Sequence, residues 1–284
     1  MSSSDTAAAE YRPRRSVLYM PGANARALEK AKELPCDSVI FDLEDAVAPE
    51  AKAAARQQVA DAVRNGGYGA REVVVRINGA DTPWHGDDVA MVSATRPGAV
   101  LVPKVERARD IEHFAIDSLP VWAMIETPRA ILEVGDIAAT RVAVLCMGLN
   151  DLAKDLRAPI SKDRAPLQTA LQMTLLAARA EGKVALDGVY NDIADEDGFA
   201  AECAEGRALG FDGKTLIHPS QIEGANAAYS PSAEEVRRAQ AIVAAFAANP
   251  NAGVLKVEGQ LAERLHLEEA RRIVAISEGG RHAG

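Results

Sequence analysis

From Ser16 onward, short runs of β-branched and aliphatic residues alternate with longer Ala-rich stretches in which apolar positions recur at helical spacing. Runs this short, apolar on both alternating faces, read as buried parallel strands, and the stretches between them as crossover helices. The strand-like runs are 16–20, 38–42, 72–77, 99–102, 121–125, 142–147, 184–186 and 213–217. Helical segments fall at 23–34, 49–65, 108–117, 128–137, 165–181, 196–209 and 221–228, two of them opening on a proline that suits a first turn. Eight such units predict an α/β chain closed into a (β/α)8 TIM barrel, since an open doubly wound sheet usually has about five to seven strands. Pro21, Gly22, Ala23, Asn24 and Ala25 stand where a dinucleotide-binding GxGxxG would follow the first strand, which argues against a dinucleotide site.

Past the eighth unit the pattern continues through a helix over 233–248, a break at Asn249, Pro250, Asn251 and Gly253, and an amphipathic stretch over 265–277. The break reads as a hinge. The expected organisation is a disordered tail over 1–14, a barrel over 15–248 and a C-terminal extension over 249–284 that is either a lid or outer padding.

Composition narrows the function classes. The chain has 284 residues, 48% of them hydrophobic, with a formal net charge of −9. This acidity excludes a chain-wide electrostatic footprint for nucleic acid or anionic membrane, so an anionic ligand would need a local basic patch. Cys36, Cys146 and Cys203 include no CxxC pair and read as buried free thiols in a reducing compartment. The first residues carry no signal-peptide pattern, and no apolar run approaches the ~20 residues needed to span a bilayer. A cytoplasmic protein is expected.

Barrel enzymes gather functional groups where strands end, and the predicted strands end in polar residues. The second is followed by Leu43, Glu44 and Asp45 after Asp42; the third ends Arg76, Ile77, Asn78; the fourth leads into Lys104 and Glu106. The fifth leads into Glu126 and Thr127, the sixth into Gly148, Leu149, Asn150 and Asp151; the seventh ends at Asp187, and the eighth carries Lys214 with His218 just beyond. Carboxylates converging on one rim repel one another by kilocalories unless a cation sits among them. Oxygen ligands without nearby His or Cys point to Mg²⁺ or Mn²⁺. A single strand-end acid reads as a helix cap or ion-pair partner, whereas Glu126 and Asp151 together, on adjacent strands at equivalent heights, read as a metal pair. Arg76 is suited to an anionic oxygen, to a rim acid such as Glu44 or Asp45, or to both. His218 is either a scaffold residue or an acid-base group.

The motifs RSVLYMPG (15–22), FDLEDAV (41–47), VRIN (75–78), VPKVE (102–106), MIETP (124–128), MGLNDLA (147–153) and GKTLIHPSQI (213–222), in this order, resemble the citrate lyase β-subunit-like branch of the HpcH/HpaI aldolase superfamily. The resemblance implies a TIM barrel holding Mg²⁺ through Glu126 and Asp151, with Glu44 and Asp45 bonding the ion's waters. It implies carbon-carbon cleavage of a β-hydroxyacyl-CoA of malyl, citramalyl or citryl type into an acetyl thioester and an oxo acid, in a homotrimer or hexamer. Arg76 would meet the thioester enolate oxygen, and Arg15, Arg26 and Lys30 would hold the CoA phosphates. Relatives carry a lid Asp in a GKMVD-type motif that reaches over a neighbouring subunit's site. The matching stretch here is Gly259, Gln260, Leu261, Ala262, Glu263, which makes Glu263 the acid-base candidate with one extra methylene. Three other readings stay open: an acyl-CoA thioesterase, a partner-dependent β subunit, and a pyruvate-type class II aldolase. The last is disfavoured because Leu43, Glu44 and Asp45 stand where that branch carries a GEH-like motif.

Overall fold

The computed structural model describes residues 12–112, 114, 119–159 and 161–279; most of the expected tail and the end of the helix expected over 108–117 lie outside the described residues. Eight parallel strands pair in chain order and close on themselves: β1 (Ser16–Pro21), β2 (Ser38–Asp42), β3 (Glu72–Arg76), β4 (Ala99–Val102), β5 (Val121–Ile125), β6 (Val142–Met147), β7 (Val184–Asp187) and β8 (Gly213–Leu216), with β8 bonded back to β1. The helices between and after them are α1 (Ala25–Lys30), α2 (Lys52–Asn65), α3 (His85–Thr95), α4 (Ala108–Glu112), α5 (Pro128–Leu132), α6 (Val134–Ala138), α7 (Leu149–Leu156), α8 (Gln168–Ala180), α9 (Glu196–Leu209) and α10 (Gln221–Tyr229).

Side chains alternate across each strand. Val17, Ile40, Val74, Ala99, Leu101, Trp122, Met124, Val144, Cys146 and Leu186 accordingly fill the inside of the barrel as one buried cluster. The opposite set, including Leu18, Val39, Phe41, Val75, Val100 and Ala123, packs with apolar helix positions such as Val59, Ile111 and Leu171 into a second core. Both faces of the wall are therefore apolar. At the amino ends of the strands, the Arg14 guanidinium lies 5.4 Å from the Trp122 ring centroid and pairs with buried Glu72 at 2.7 Å. All three cysteines are buried free thiols.

A second compact unit runs from Ser230 onward and contains α11 (Ala233–Ala248), a two-stranded hairpin of β9 (Val254–Val257) and β10 (Gln260–Glu263), and α12 (Arg264–Gly279). Ser232 starts α11 with a full capping box to Glu235. Ala239, Ile242 and Phe246 of α11 pack on Ala262, Leu267 and Ala270. This shared core groups α11 with the extension, so the division falls at Ser230 and not after Ala248, where the sequence break placed it. Among the described residues no helix is long and apolar enough to cross a membrane.

Three elements are absent from the sequence reading: α3, α7 and the hairpin. α7 begins one residue after β6, with Gly148 alone between them, so its first turn reads as part of the strand-end motif. The hairpin turns through Glu258 and Gly259, both at positive φ (50° and 84°), a type I′ arrangement usually announced by Asn-Gly or Asp-Gly.

Candidate active site

The carboxyl ends of the strands surround a cavity of about 330 Å³ whose walls include Tyr19, Asp42, Asp45, Arg76, Met124, Glu126, Asn150, Asp151, Val189, Thr215 and Ile217. Tyr19, Asp42 and Arg76 stand at the same alternating positions as the interior cluster, two residues beyond Val17, Ile40 and Val74 respectively, and Thr215 lines the cavity from β8. Glu126 follows Trp122 and Met124 in the same way. Strand parity thus carries these polar groups into the mouth.

The β2–β3 register sets Asp42 directly beside Arg76. The pair is bidentate: Arg76 Nε donates to Asp42 Oδ1 and Nη2 to Asp42 Oδ2, both at 2.7 Å. Arg76 Nη1 also contacts Glu44 Oε2 at 2.7 Å and Asp45 Oδ2 at 3.4 Å. Burial pushes the Asp42 carboxyl up, but the Arg76 charge and its hydrogen bonds outweigh this and hold it below the usual range. Glu44 behaves oppositely. Its Oε2 is buried and in ion contact with Arg76 but outside hydrogen-bond geometry. Burial, reinforced by Asp45, Glu126 and Asp42, raises its carboxyl to about 8 against the pull of Arg76. Beneath this loop the buried Lys52 ammonium donates to the carbonyls of Leu43 and Glu44, each at 2.7 Å, and to Asn78 Oδ1 at 2.6 Å, fixing the backbone that carries Glu44 and Asp45.

Glu126 is 2% exposed, and its Oε1 accepts the Lys104 backbone N–H at 2.7 Å. Lys104 adopts the left-handed region (φ 51°), a cost for a non-glycine residue. Burial raises the Glu126 carboxyl. On the other side, a Cβ at Gly148 would lie 2.6 Å from Glu126 Oε2, so only glycine lets α7 start this close to the carboxylate. Asp151 sits in the first turn of α7, with its side chain 29% exposed and its Oδ2 3.9 Å from Lys104 Nζ. The first-turn N–H groups of α7 face this region without intrahelical partners, an arrangement that favours anions.

Glu126 and Asp151, expected as a pair, do line one cavity. Around it stand five acidic side chains, Asp42, Glu44, Asp45, Glu126 and Asp151, against two basic ones, Arg76 and Lys104. Neither His nor Cys is among the lining residues. Such an oxygen-only, over-acidic set fits Mg²⁺, which takes one or two carboxylates and completes its shell with water and substrate oxygens. Among the described residues no group of three or more His, Cys, Asp or Glu side chains is placed to hold a metal ion.

Several expected rim groups lie elsewhere. Arg15 precedes β1, at the opposite end of the strand from the mouth, where its Nη2 meets Asp37 Oδ1 at 2.7 Å and its Nε meets Asp37 Oδ2 at 2.8 Å; it is a structural residue and not a phosphate contact. Arg26 and Lys30 are exposed on α1, on the mouth side of β1. Asp187 and Lys214 point outward, away from the cavity: Lys214 Nζ contacts Asp187 Oδ2 at 3.0 Å and Glu202 Oε1 at 2.5 Å, and Arg164 Nη1 meets Asp187 Oδ1 at 2.8 Å. His218 accepts from the Ser220 backbone N–H and exchanges a side-chain hydrogen bond with Ser220, as a scaffold residue would. Glu263 is exposed at the end of β10 in the second unit. Tyr19 and Lys52 were not singled out by strand-end reading; Tyr19 shares the parity of Val17, but in a wall apolar on both faces that parity marks the cavity side only once the barrel has closed.

A closed eight-stranded barrel with a carboxylate pair and a guanidinium at its carboxyl mouth defines a TIM-barrel enzyme of the oxygen-ligated divalent-metal kind. The family model for HpcH/HpaI aldolase/citrate lyase matches residues 15–219, and the chain belongs to that family. It is 48% identical over 271 residues to a (3S)-malyl-CoA thioesterase of Cereibacter sphaeroides, covering 94% of this chain and 95% of the relative. It is 34% identical over 284 residues to the citrate lyase subunit beta of Escherichia coli, covering 94% of each. Among solved structures, CitE from Mycobacterium tuberculosis in complex with magnesium, acetoacetate and coenzyme A is similar at TM-score 0.75 and 32% identity, covering 95% of this chain and 97% of that one.

Proposed function

We propose that this chain is a Mg²⁺-dependent carbon-carbon lyase that cleaves a β-hydroxyacyl-CoA of malyl, citramalyl or citryl type into an acetyl thioester and an oxo acid. The observation that carries the reading is the meeting of Glu126, Asp151 and Arg76 on one over-acidic cavity at the barrel mouth. Glu126 and Asp151 would hold the ion, and Glu44 and Asp45 would bond its waters. Bound there, Mg²⁺ acts as a Lewis acid toward the substrate's hydroxyl and carboxylate oxygens.

The chain's own groups do the rest. Cleavage removes the hydroxyl proton, turns that C–O bond into a carbonyl, breaks the adjacent carbon-carbon bond and leaves its electron pair on the carbon next to the thioester carbonyl as an enolate, which is then protonated at that carbon to the acetyl thioester. The charge therefore collects on the thioester oxygen. Arg76 has five N–H groups, and four face Asp42, Glu44 and Asp45. One Nη2–H remains for that oxygen. Its orientation is fixed before substrate arrives, because Asp42 grips the Nε/Nη2 edge of the guanidinium with two hydrogen bonds. The first-turn N–H groups of α7 would meet the substrate carboxylate. We keep Glu263 as the acid-base group and Arg26 and Lys30 as phosphate contacts. A homo-oligomer in the cytoplasm belongs to the same reading.

A second reading, hydrolysis of the same thioester, is favoured by the higher identity to a malyl-CoA thioesterase than to citrate lyase subunit beta. One assay separates them. The purified chain with Mg²⁺ is given malyl-, citramalyl- and citryl-CoA, and the products are resolved by chromatography. Acetyl-CoA with an oxo acid supports the lyase, free CoA with the intact hydroxy acid supports hydrolysis, and neither product from any of the three rejects both. Glu126→Gln and Asp151→Asn should each lower turnover at least 100-fold and abolish the Mg²⁺-induced rise in Tm.

A further inference from the structure

Tyr19 is the polar residue of the cavity that this chemistry leaves without a task. Its ring stands inside the barrel, and the Arg76 guanidinium carbon lies 4.9 Å from the ring centroid. The hydroxyl's described partner is the Met124 thioether at 3.5 Å, a weak acceptor. Other hydroxyl and amide groups of the cavity have polar partners: Thr215 Oγ1 donates to the Asp187 carbonyl, and Asn150 exchanges a pair of side-chain hydrogen bonds with Asn191. A part-buried O–H whose described partner is sulfur, beside a guanidinium with one spare N–H, is an incomplete oxyanion site.

We propose that the Tyr19 hydroxyl is a catalytic substrate contact, donating a hydrogen bond to the thioester carbonyl oxygen next to the spare Arg76 N–H. The inference rests on the thioester reading above, and it serves lyase and hydrolase alike: an enolate and a tetrahedral adduct both place their negative charge on that oxygen. Burial raises the Tyr19 hydroxyl well above its ordinary value, so it stays protonated and able to donate throughout the working pH range. The ring has a separate job. Its face is held against the guanidinium, and a phenylalanine would keep that contact while deleting the donor alone.

Tyr19→Phe is therefore the test. The expected result is a fall in kcat of about 10- to 100-fold, with Mg²⁺-dependent binding of pyruvate, measured by titration calorimetry as a probe of the oxo-acid end, unchanged and Tm retained. Unchanged kcat overturns the proposal, and so does a loss of pyruvate affinity equal to the loss of kcat, which would place the hydroxyl at the metal end. If the wild-type chain turns over no thioester, the functional reading fails, and the contact is decided by a crystal structure of the wild-type protein with Mg²⁺, pyruvate and acetyl-CoA. Tyr19 Oη within about 3.2 Å of the thioester oxygen sustains it; a longer separation, or no bound thioester, overturns it.

Discussion

Asp42 and Glu44 lie two residues apart and both meet Arg76, yet their protons behave in opposite ways. Asp42 accepts two hydrogen bonds from the guanidinium and two from backbone N–H groups of Glu44 and Ala46, so its charge is compensated. Glu44 has one ion contact and several acidic neighbours, and its carboxyl moves from the ordinary 4.5 to about 8. Between these values the native metal-free protein holds a proton that the unfolded chain has released. The linkage sign is therefore negative: this contribution to stability is lost as pH rises from about 4.5 to 8, at up to about 1.4 kcal/mol per pH unit. The Tm of metal-free protein should fall from pH 5.5 to pH 8, Glu44→Gln should reduce that slope, and saturating Mg²⁺ should flatten it by favouring the ionised carboxylates. Calorimetric scans across the range check this, and a slope that Glu44→Gln leaves intact would sink the assignment.

At the scale of elements, the segment joining α7 to α8 is pinned to the wall by Arg164. This side chain is fully buried at φ 50° and bonds both oxygens of Asp187 on β7, at 2.8 and 2.9 Å, and Glu205 on α9 at 2.7 Å. Lys214 adds β8 to the same network through Asp187 and Glu202. The two cations thus tie β7, β8 and α9 behind the cavity wall. Removing one partner strands buried carboxylates, so Arg164→Met should cost about 3–5 kcal/mol in denaturant unfolding. A loss below about 1 kcal/mol would mean that water or a rearranged side chain compensates the acids. The strand-end reading set Asp187 and Lys214 among the rim groups because it followed position along the strand and not parity. The wall is apolar on both faces, so alternation in the sequence does not say which face is inside.

For the whole molecule, the two compact units have separate cores, one inside and around the barrel and one between α11, α12 and the hairpin. Glu126, Asp151, Arg76 and Tyr19 all belong to the first, and Glu263 to the second. Binding and turnover should therefore separate. A chain ending at Tyr229 should keep the Mg²⁺-dependent rise in Tm while losing turnover by 100-fold or more; Glu263→Gln in the full chain should reproduce the kinetic loss without the truncation. Near-normal kcat in Glu263→Gln would remove that carboxylate from the acid-base role.

The strand and helix alternation, the ordered motifs and the acidic strand ends settle the barrel and its carboxyl mouth from local information alone, because periodicity and turn chemistry are properties of neighbouring residues. Glu126 and Asp151 were readable for the same reason: each ends or follows a strand run, and barrel closure brings such ends together. Which acid neutralises Arg76, why Arg15 is tied to Asp37 at the far end of β1, and how Tyr19 comes to face the cavity were decided only by tertiary structure. Those outcomes depend on register between strands and on which side of a doubly buried wall a side chain falls, and neither is encoded in the spacing of residues along one run.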